Sequence, residues 1–578
     1  MTEVGVDLLL APARPFELQA LARRFDEGER REHASASAVE QLIAHAPELL
    51  DELLAWVDSH GLERLEPELR PRRRLRLRGT LGQLQQAFGD AGLRALARRE
   101  SGAPAIASAD VLPPRLRGLV ARVELSSSAN EPWRRTLELG DEALDQHPVR
   151  PAVRAVTPAA FERALNLPPT TDGAGQRIAL MALGGLPRAR DLAVFHAAFT
   201  PGTAAPLRTV QLGPLSSTTR EDPLFRHETT MTVAWIRALA PAAELCVYVI
   251  DPRHVADPWA LFFEAALDDD ATIATTAWSS PEQQYYASHG RSVAATLLDQ
   301  LAARGCTVIA ASGDWGACAG APRFPGDEVP MQARPWPGVA FPCSEPRVLA
   351  IGGTMGFEQP QVLSAALSPD LAARLGLREF ATGGGFSEHV AIPRWQTGML
   401  RPIYPRDADA VAIPPSGRAV PDLALPAWGV PAGPGPAGHG YWGFIDDRWR
   451  HDIGGTSLSA ALAAACFARV NQALAADGHP RIGCIGPRLW ALANASAGAG
   501  AVRPVERGSN RVELPCLDHD GRVRWRTVPG FIAVPGWNPG AGLGEPDFSR
   551  MLALIRAGDP GRTATRPASR RRSVESRG

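Results

Sequence analysis

The hydrophobic pattern separates two kinds of segment. The runs Ile178 to Leu183, Glu244 to Ile250, Thr272 to Trp278, Thr307 to Ser312 and Val348 to Ile351 read as strands with no polar face. Between them, Thr229 to Leu239 and Val293 to Ala303 carry apolar positions at helical spacing. Apolar strands alternating with helices imply an α/β fold with a parallel sheet covered on both sides. Such sheets place their sites beyond the carboxyl ends of the strands.

Upstream, the pattern changes. Val39 to Leu54 has helical periodicity, interrupted by Pro47. The segment Arg72-Arg73-Arg74-Leu75-Arg76-Leu77-Arg78 alternates with period two and predicts a strand. Its basic face is expected to be solvated, to pair with acids of a neighbouring domain or to bind an acidic partner. Thr80 reads as the N-cap of a helix from Leu81 to Phe88. These elements form an α+β unit over residues 1–125. Residues 126–156, with Pro132, Pro148 and Pro151, read as a linker, and residues 157–558 as the main domain. The Arg-rich tail, residues 559–578, is expected to be disordered.

Composition narrows the chemistry. The chain has 578 residues, 45% hydrophobic, with 61 basic and 62 acidic residues. That is long enough for two or three domains with real cores. A net charge of −1 and 6% aromatic residues give no footprint for nucleic acid. No apolar run reaches the roughly 18 residues of a membrane span. Met1 to Asp7 carries two acids and no basic stretch, so no secretory leader is expected there. Every one of the 61 basic residues is arginine, which excludes lysine-based nucleophilic chemistry. The seven cysteines form no CxxC pair, which argues against zinc ribbons. Cys318 and Cys343 flank a candidate site, which leaves a bridge between them open.

Three segments carry candidate chemistry. Gly454-Gly455-Thr456-Ser457 precedes a small-residue helix, Ala461 to Leu474, and presents a serine at a helix start. Ser312-Gly313-Asp314 follows an apolar strand. Glu228 opens a helix, with Thr232 four residues on along the same face. A zinc reading of His227-Glu228 fails because position 231 is Met231. A nucleophile elbow fails at Ser459, and no His-Gly pair has a following threonine. The base for Ser457 must then be a carboxylate.

These segments resemble the sedolisins, or serine-carboxyl peptidases, and among them the kumamolisin-like members. Gly79-Thr80 and Ala87-Phe88-Gly89 resemble the family's activation prodomain. From Val156-Thr157-Pro158 onward, the family's order is kept by Ala277-Trp278-Ser279, Ser312-Gly313-Asp314, Phe341-Pro342 and Gly352-Gly353-Thr354. It continues through Gly383-Gly384-Gly385-Phe386-Ser387, Val420-Pro421-Asp422 and Gly542-Leu543-Gly544. The resemblance implies a subtilisin-like catalytic domain and a self-processing endopeptidase. Ser457 matches the nucleophile, Glu228 the base and Asp314 the oxyanion aspartate. Trp278, Gly383, Gly384 and Gly385 match the substrate cleft. A base with an ordinary pKa of about 4.3 would suit acid conditions. The expected partners are a peptide or protein substrate and the chain's own prodomain, with no nucleic acid or membrane and a monomeric state. The family is often secreted.

The sequence departs from the family at two places. Thr232 stands where the relay aspartate would be; it can donate a hydrogen bond to Glu228 but cannot share a proton. The calcium positions correspond to Pro504, Val505 and Asn538, which offer few oxygens, so little or no calcium binding is expected. Glu506, Asp518, Asp520 and Asp547 are the acids near enough in sequence to compensate. Ala340 replaces an acidic specificity residue of some members. The alternative is a catalytically degenerate homologue that binds peptides.

Overall fold

A parallel sheet organises the main domain of this computed structural model. The structure describes residues 3–557 apart from 27–32, 66–72, 98–105, 127–133, 140–147, 201, 203, 320–337, 368, 406–410, 430–438, 496–499 and 518–521. The expected tail therefore lies outside the described residues. The sheet core runs Val348–Met355, Thr307–Ala311, Ile273–Thr276, Arg177–Ala182, Glu244–Ile250 and Leu207–Leu212, all parallel. Leu423–Trp428 joins Val348–Met355, also in parallel. Valine, isoleucine and alanine dominate these strands because helices cover both faces. Helices Pro223–Leu239 and Thr456–Ala476 lie on one face, with Pro258–Asp268 and Ser292–Ala303 on the other. By length and composition Thr456–Ala476 could cross a bilayer, yet nearly all of it is buried in the core.

Residues 126–156 are not solely a linker. Arg134–Leu137 pairs antiparallel with Leu207–Leu212 and forms the sheet edge. Its two arginines break the apolar pattern by which the other strands are read. The Val39 to Leu54 helix is divided into Ala36–Ile43 and Pro47–Ser59, because Pro47 fits a first helical position and no interior one.

The N-terminal unit is an antiparallel sheet, ordered Glu63–Arg64, Arg74–Thr80, Glu3–Leu10, Val120–Ser126 and Ile106–Ser108. Its alternation is real. Val6, Leu8, Leu75, Leu77 and Val123 face their own helices in a separate core. Asp7, Arg74, Arg76, Arg122 and Glu124 are also buried. The solvated-face option is thereby ruled out for Arg74 and Arg76. Arg74 donates to Glu264 of the main domain through Nε at 3.0 Å and Nη2 at 3.2 Å. Its Nη1 reaches Asp7 at 3.0 Å and Glu124 at 2.7 Å. Arg122 bonds Asp257, the N-cap of Pro258–Asp268, at 2.8 Å. Charges buried this way must be paired to be tolerated.

Candidate active site

Glu228 sits on the helix Pro223–Leu239. The sequence reading placed it at the helix start; the structure places it in the second turn. Asp222 caps the helix by accepting from Leu224 N at 2.9 Å and Phe225 N at 3.2 Å, with Pro223 first. First-turn dipole stabilisation therefore does not explain an acid at 228.

Ser457 lies in the first turn of Thr456–Ala476. Its approach needs glycines. Gly455 has φ +102°, and a Cβ there would lie 2.6 Å from Asp314 Oδ2. A Cβ on Gly454 would lie 2.4 Å from Ala427 O. The turn brings the Ser457 hydroxyl close enough to the Glu228 carboxyl to favour its ionised form. Asp314 completes the group. Its Oδ1 accepts from Thr456 N at 2.8 Å and Thr456 Oγ1 at 2.9 Å. Thr456 was missed in the sequence reading, although a hydroxyl residue at a helix start before the serine was a usable signal.

Burial pushes Glu228 up to about 8, the nearby Asp314 charge adds to this, and the Ser457 hydroxyl opposes it. The ordinary carboxylate pKa assumed from sequence is thus overturned: desolvation cannot be read from residue type. Burial also raises Asp314, against the two Thr456 bonds. Glu228 Oε1 is shielded from solvent and has no partner. Thr232 does not supply one. Its hydroxyl donates to the backbone carbonyls of Glu228 at 2.9 Å and Thr229 at 3.1 Å, not to the carboxyl.

The expected cleft residues gather around this group. Trp278 is half-buried and packs edge-on against Phe225 of the Glu228 helix, with centroids 5.2 Å apart. Gly383 N donates to Gly313 O at 2.7 Å, and a Cβ on Gly383 would lie 2.1 Å from Ser312 O. A Cβ on Gly384 would lie 1.8 Å from Pro539 O. Glu282 was not anticipated: it accepts from Ser387 Oγ at 2.6 Å and Glu388 N at 2.7 Å and anchors the end of the glycine loop. Cys318 and Cys343 are buried cysteines with no disulfide between them, so the bridge left open is not formed.

The calcium positions do not fit the ion. Pro504 has no side-chain oxygen. Asn538 directs its donor nitrogen, not its oxygen, at Val505 O, 3.0 Å away. Glu506 is exposed, and Asp547 caps Arg550 N and binds Asn166. Asp518 and Asp520 lie outside the described residues. Among the described residues, no group of three or more His, Cys, Asp or Glu is placed to hold a metal.

A parallel sheet with a serine at the head of its central helix, flanked by two carboxyls, defines a subtilisin-like domain with a serine–carboxyl site. No family model matches the chain. It is 31% identical to kumamolisin of Bacillus sp. (strain MN-32) over 410 residues, 70% of this chain and 64% of that protein. It is 27% identical to tripeptidyl-peptidase 1 of Homo sapiens over 341 residues, 57% of this chain and 51% of that protein. The chain thus spans between half and two thirds of the curated relatives it matches. The structure of Pseudomonas sedolisin, a serine-carboxyl proteinase complexed with pseudo-iodotyrostatin, has the same fold. It superposes with a TM-score of 0.52 at 19% identity, covering 70% of this chain and 99% of that one. The chain is thus kumamolisin-like in sequence and sedolisin-like in fold.

Proposed function

We propose that the chain is a serine-carboxyl endopeptidase made as a precursor whose residues 1–125 are an activation prodomain. The observation that carries this reading is the Ser457 hydroxyl beside the Glu228 carboxyl, with Asp314 bonded to the neighbouring Thr456. In the reaction, Ser457 Oγ attacks the carbonyl carbon of a peptide bond, and its proton passes to ionised Glu228. A C–O bond forms, and the carbonyl oxygen becomes an oxyanion. Asp314, in its protonated form, donates to that oxyanion, and the helix start at Thr456 adds a favourable dipole. Collapse breaks the C–N bond, and Glu228 returns the proton to the leaving amine. Water then attacks the acyl-enzyme, with Glu228 again the base.

The two raised carboxyls set the working range. The base must be ionised while Asp314 keeps its proton, so the rate passes through a maximum in pH set by the two carboxyls, both raised by burial. Thr232 leaves Glu228 without a second carboxyl to pass the proton to, which slows the reaction. The test is incubation of the full chain from acid to mildly alkaline pH beside Ser457→Ala. Release of an N-terminal fragment cut within residues 126–160, absent in the variant, supports the reading. Two intact proteins across the range favour a degenerate, peptide-binding homologue.

A further inference from the structure

Asn538 is fully buried and uses all four hydrogen-bonding positions of its carboxamide. Oδ1 accepts from Gly540 N at 3.1 Å and Ala541 N at 3.0 Å. Both partners are backbone donors, so the oxygen and nitrogen cannot be exchanged. Nδ2 donates to Val505 O at 3.0 Å and Val534 O at 3.3 Å. One side chain thus ties together the segment at 505, the turn at 534 and the turn at 540–541. Backbone bonds between Asn538 and Gly542, at 3.1 and 2.8 Å, close the same loop.

Two carbonyl oxygens converging on one positive group is what a loop cation would otherwise provide. We infer that the Asn538 carboxamide takes the place of that cation and that the C-terminal loop is held without metal. Calcium needs six to eight oxygens, and an N–H directed at the carbonyls denies it two of them. The device bears on the candidate site by position. Pro539 O abuts Gly384, and Gly384 follows Gly383, which is bonded to Gly313 beside Asp314. The inference is independent of the peptidase reading, since it concerns how the loop is held and not what the site does.

The test uses the full chain and calcium alone, with terbium as a luminescent stand-in sensitised by the adjacent Trp537. Wild type is expected to melt at the same temperature in EDTA and in saturating calcium and to give no terbium emission. Its Gly540 and Ala541 amides are expected to stay protected from hydrogen exchange in EDTA. Asn538→Asp aims a carboxylate oxygen at two carbonyls. Its Tm in EDTA is expected to fall by at least about 3 °C. Calcium is expected to recover part of that fall, with terbium emission appearing. A calcium-dependent Tm or terbium emission in wild type overturns the inference. So does amide exchange that accelerates in EDTA, which needs no variant to fold. An Asn538→Asp protein as stable as wild type in EDTA, or one calcium does not restabilise, overturns it as well.

Discussion

Replacing Arg74 with methionine keeps most of the side-chain volume and removes the cation at the centre of a buried ion network. Glu264 loses both guanidinium bonds, at 3.0 and 3.2 Å, while Asp7 and Glu124 keep Arg76 and Arg122. Breaking a buried pair by deleting one partner costs about 3–5 kcal/mol. The retained arginines put this case at the lower end, ~3 kcal/mol. The N-terminal unit has its own core, so its loosening is a separable event. For a unit of this size the loss corresponds to a fall of roughly 10 °C in its transition. Scanning calorimetry of the full chain at neutral pH reads this directly. Adding Glu264→Gln to Arg74→Met removes the stranded charge and is expected to recover at least about 1 kcal/mol. A shift below about 2 °C, or no recovery in the double variant, would refute the claim that this network holds the two units together.

Other predictions concern the site and its supports. Asp257 is held near 2 chiefly by Arg122, against the cost of burial. Its folded pKa lies below the unfolded value of about 3.9, so its stabilisation is present above that value and lost as pH falls through about 2. Glu264 is raised by burial and partly offsets this on acidification. The N-terminal transition is therefore expected to weaken between about pH 5 and 2, by up to roughly 2.5 kcal/mol, and Asp257→Asn should flatten that dependence. Thr232→Asp places a second carboxyl beside Glu228 that can carry the shared proton. The rising limb of kcat/KM should move at least about one pH unit toward acid, and an unmoved limb would show that Thr232 is not limiting. Gly384→Ala puts a methyl 1.8 Å from Pro539 O, so the glycine loop must move. KM for a peptide substrate should rise several-fold, and an unchanged KM would place the cleft elsewhere.

The sheet was legible because its strands are covered on both faces and read as unbroken apolar runs. Arg134–Leu137 was not, since a short edge strand has one neighbour and no need of an apolar sequence. The arginine alternation correctly implied a strand, but the burial of Arg74 depends on Glu264, 190 residues distant. Asp222-Pro223 was a usable cap signature that would have moved Glu228 into the second turn. The identities of Glu228, Asp314 and Ser457 as candidates came from motif order, and the fold brings them together. The charge state of Glu228 could not be read, because enclosure and the Asp314 field arise only on folding. Thr232 was visible as a departure, but where its hydroxyl donates depends on the helix geometry. Asn538 was likewise visible as a weak metal ligand; its role as a donor depends on carbonyls brought in from 505 and 534.

The central claim is that Glu228, with its Oε1 shielded from solvent, is the base for Ser457. The most direct measurement is the rate at which a fluorophosphonate probe labels the full chain as a function of pH, with the labelled residue identified by mass spectrometry. The account requires labelling at Ser457 that passes through a maximum in pH, because Glu228 must be ionised while Asp314 is protonated. Glu228→Gln should remove that maximum and slow the rate at least about a hundredfold. Labelling with no maximum in pH, or unchanged in Glu228→Gln, would contradict it.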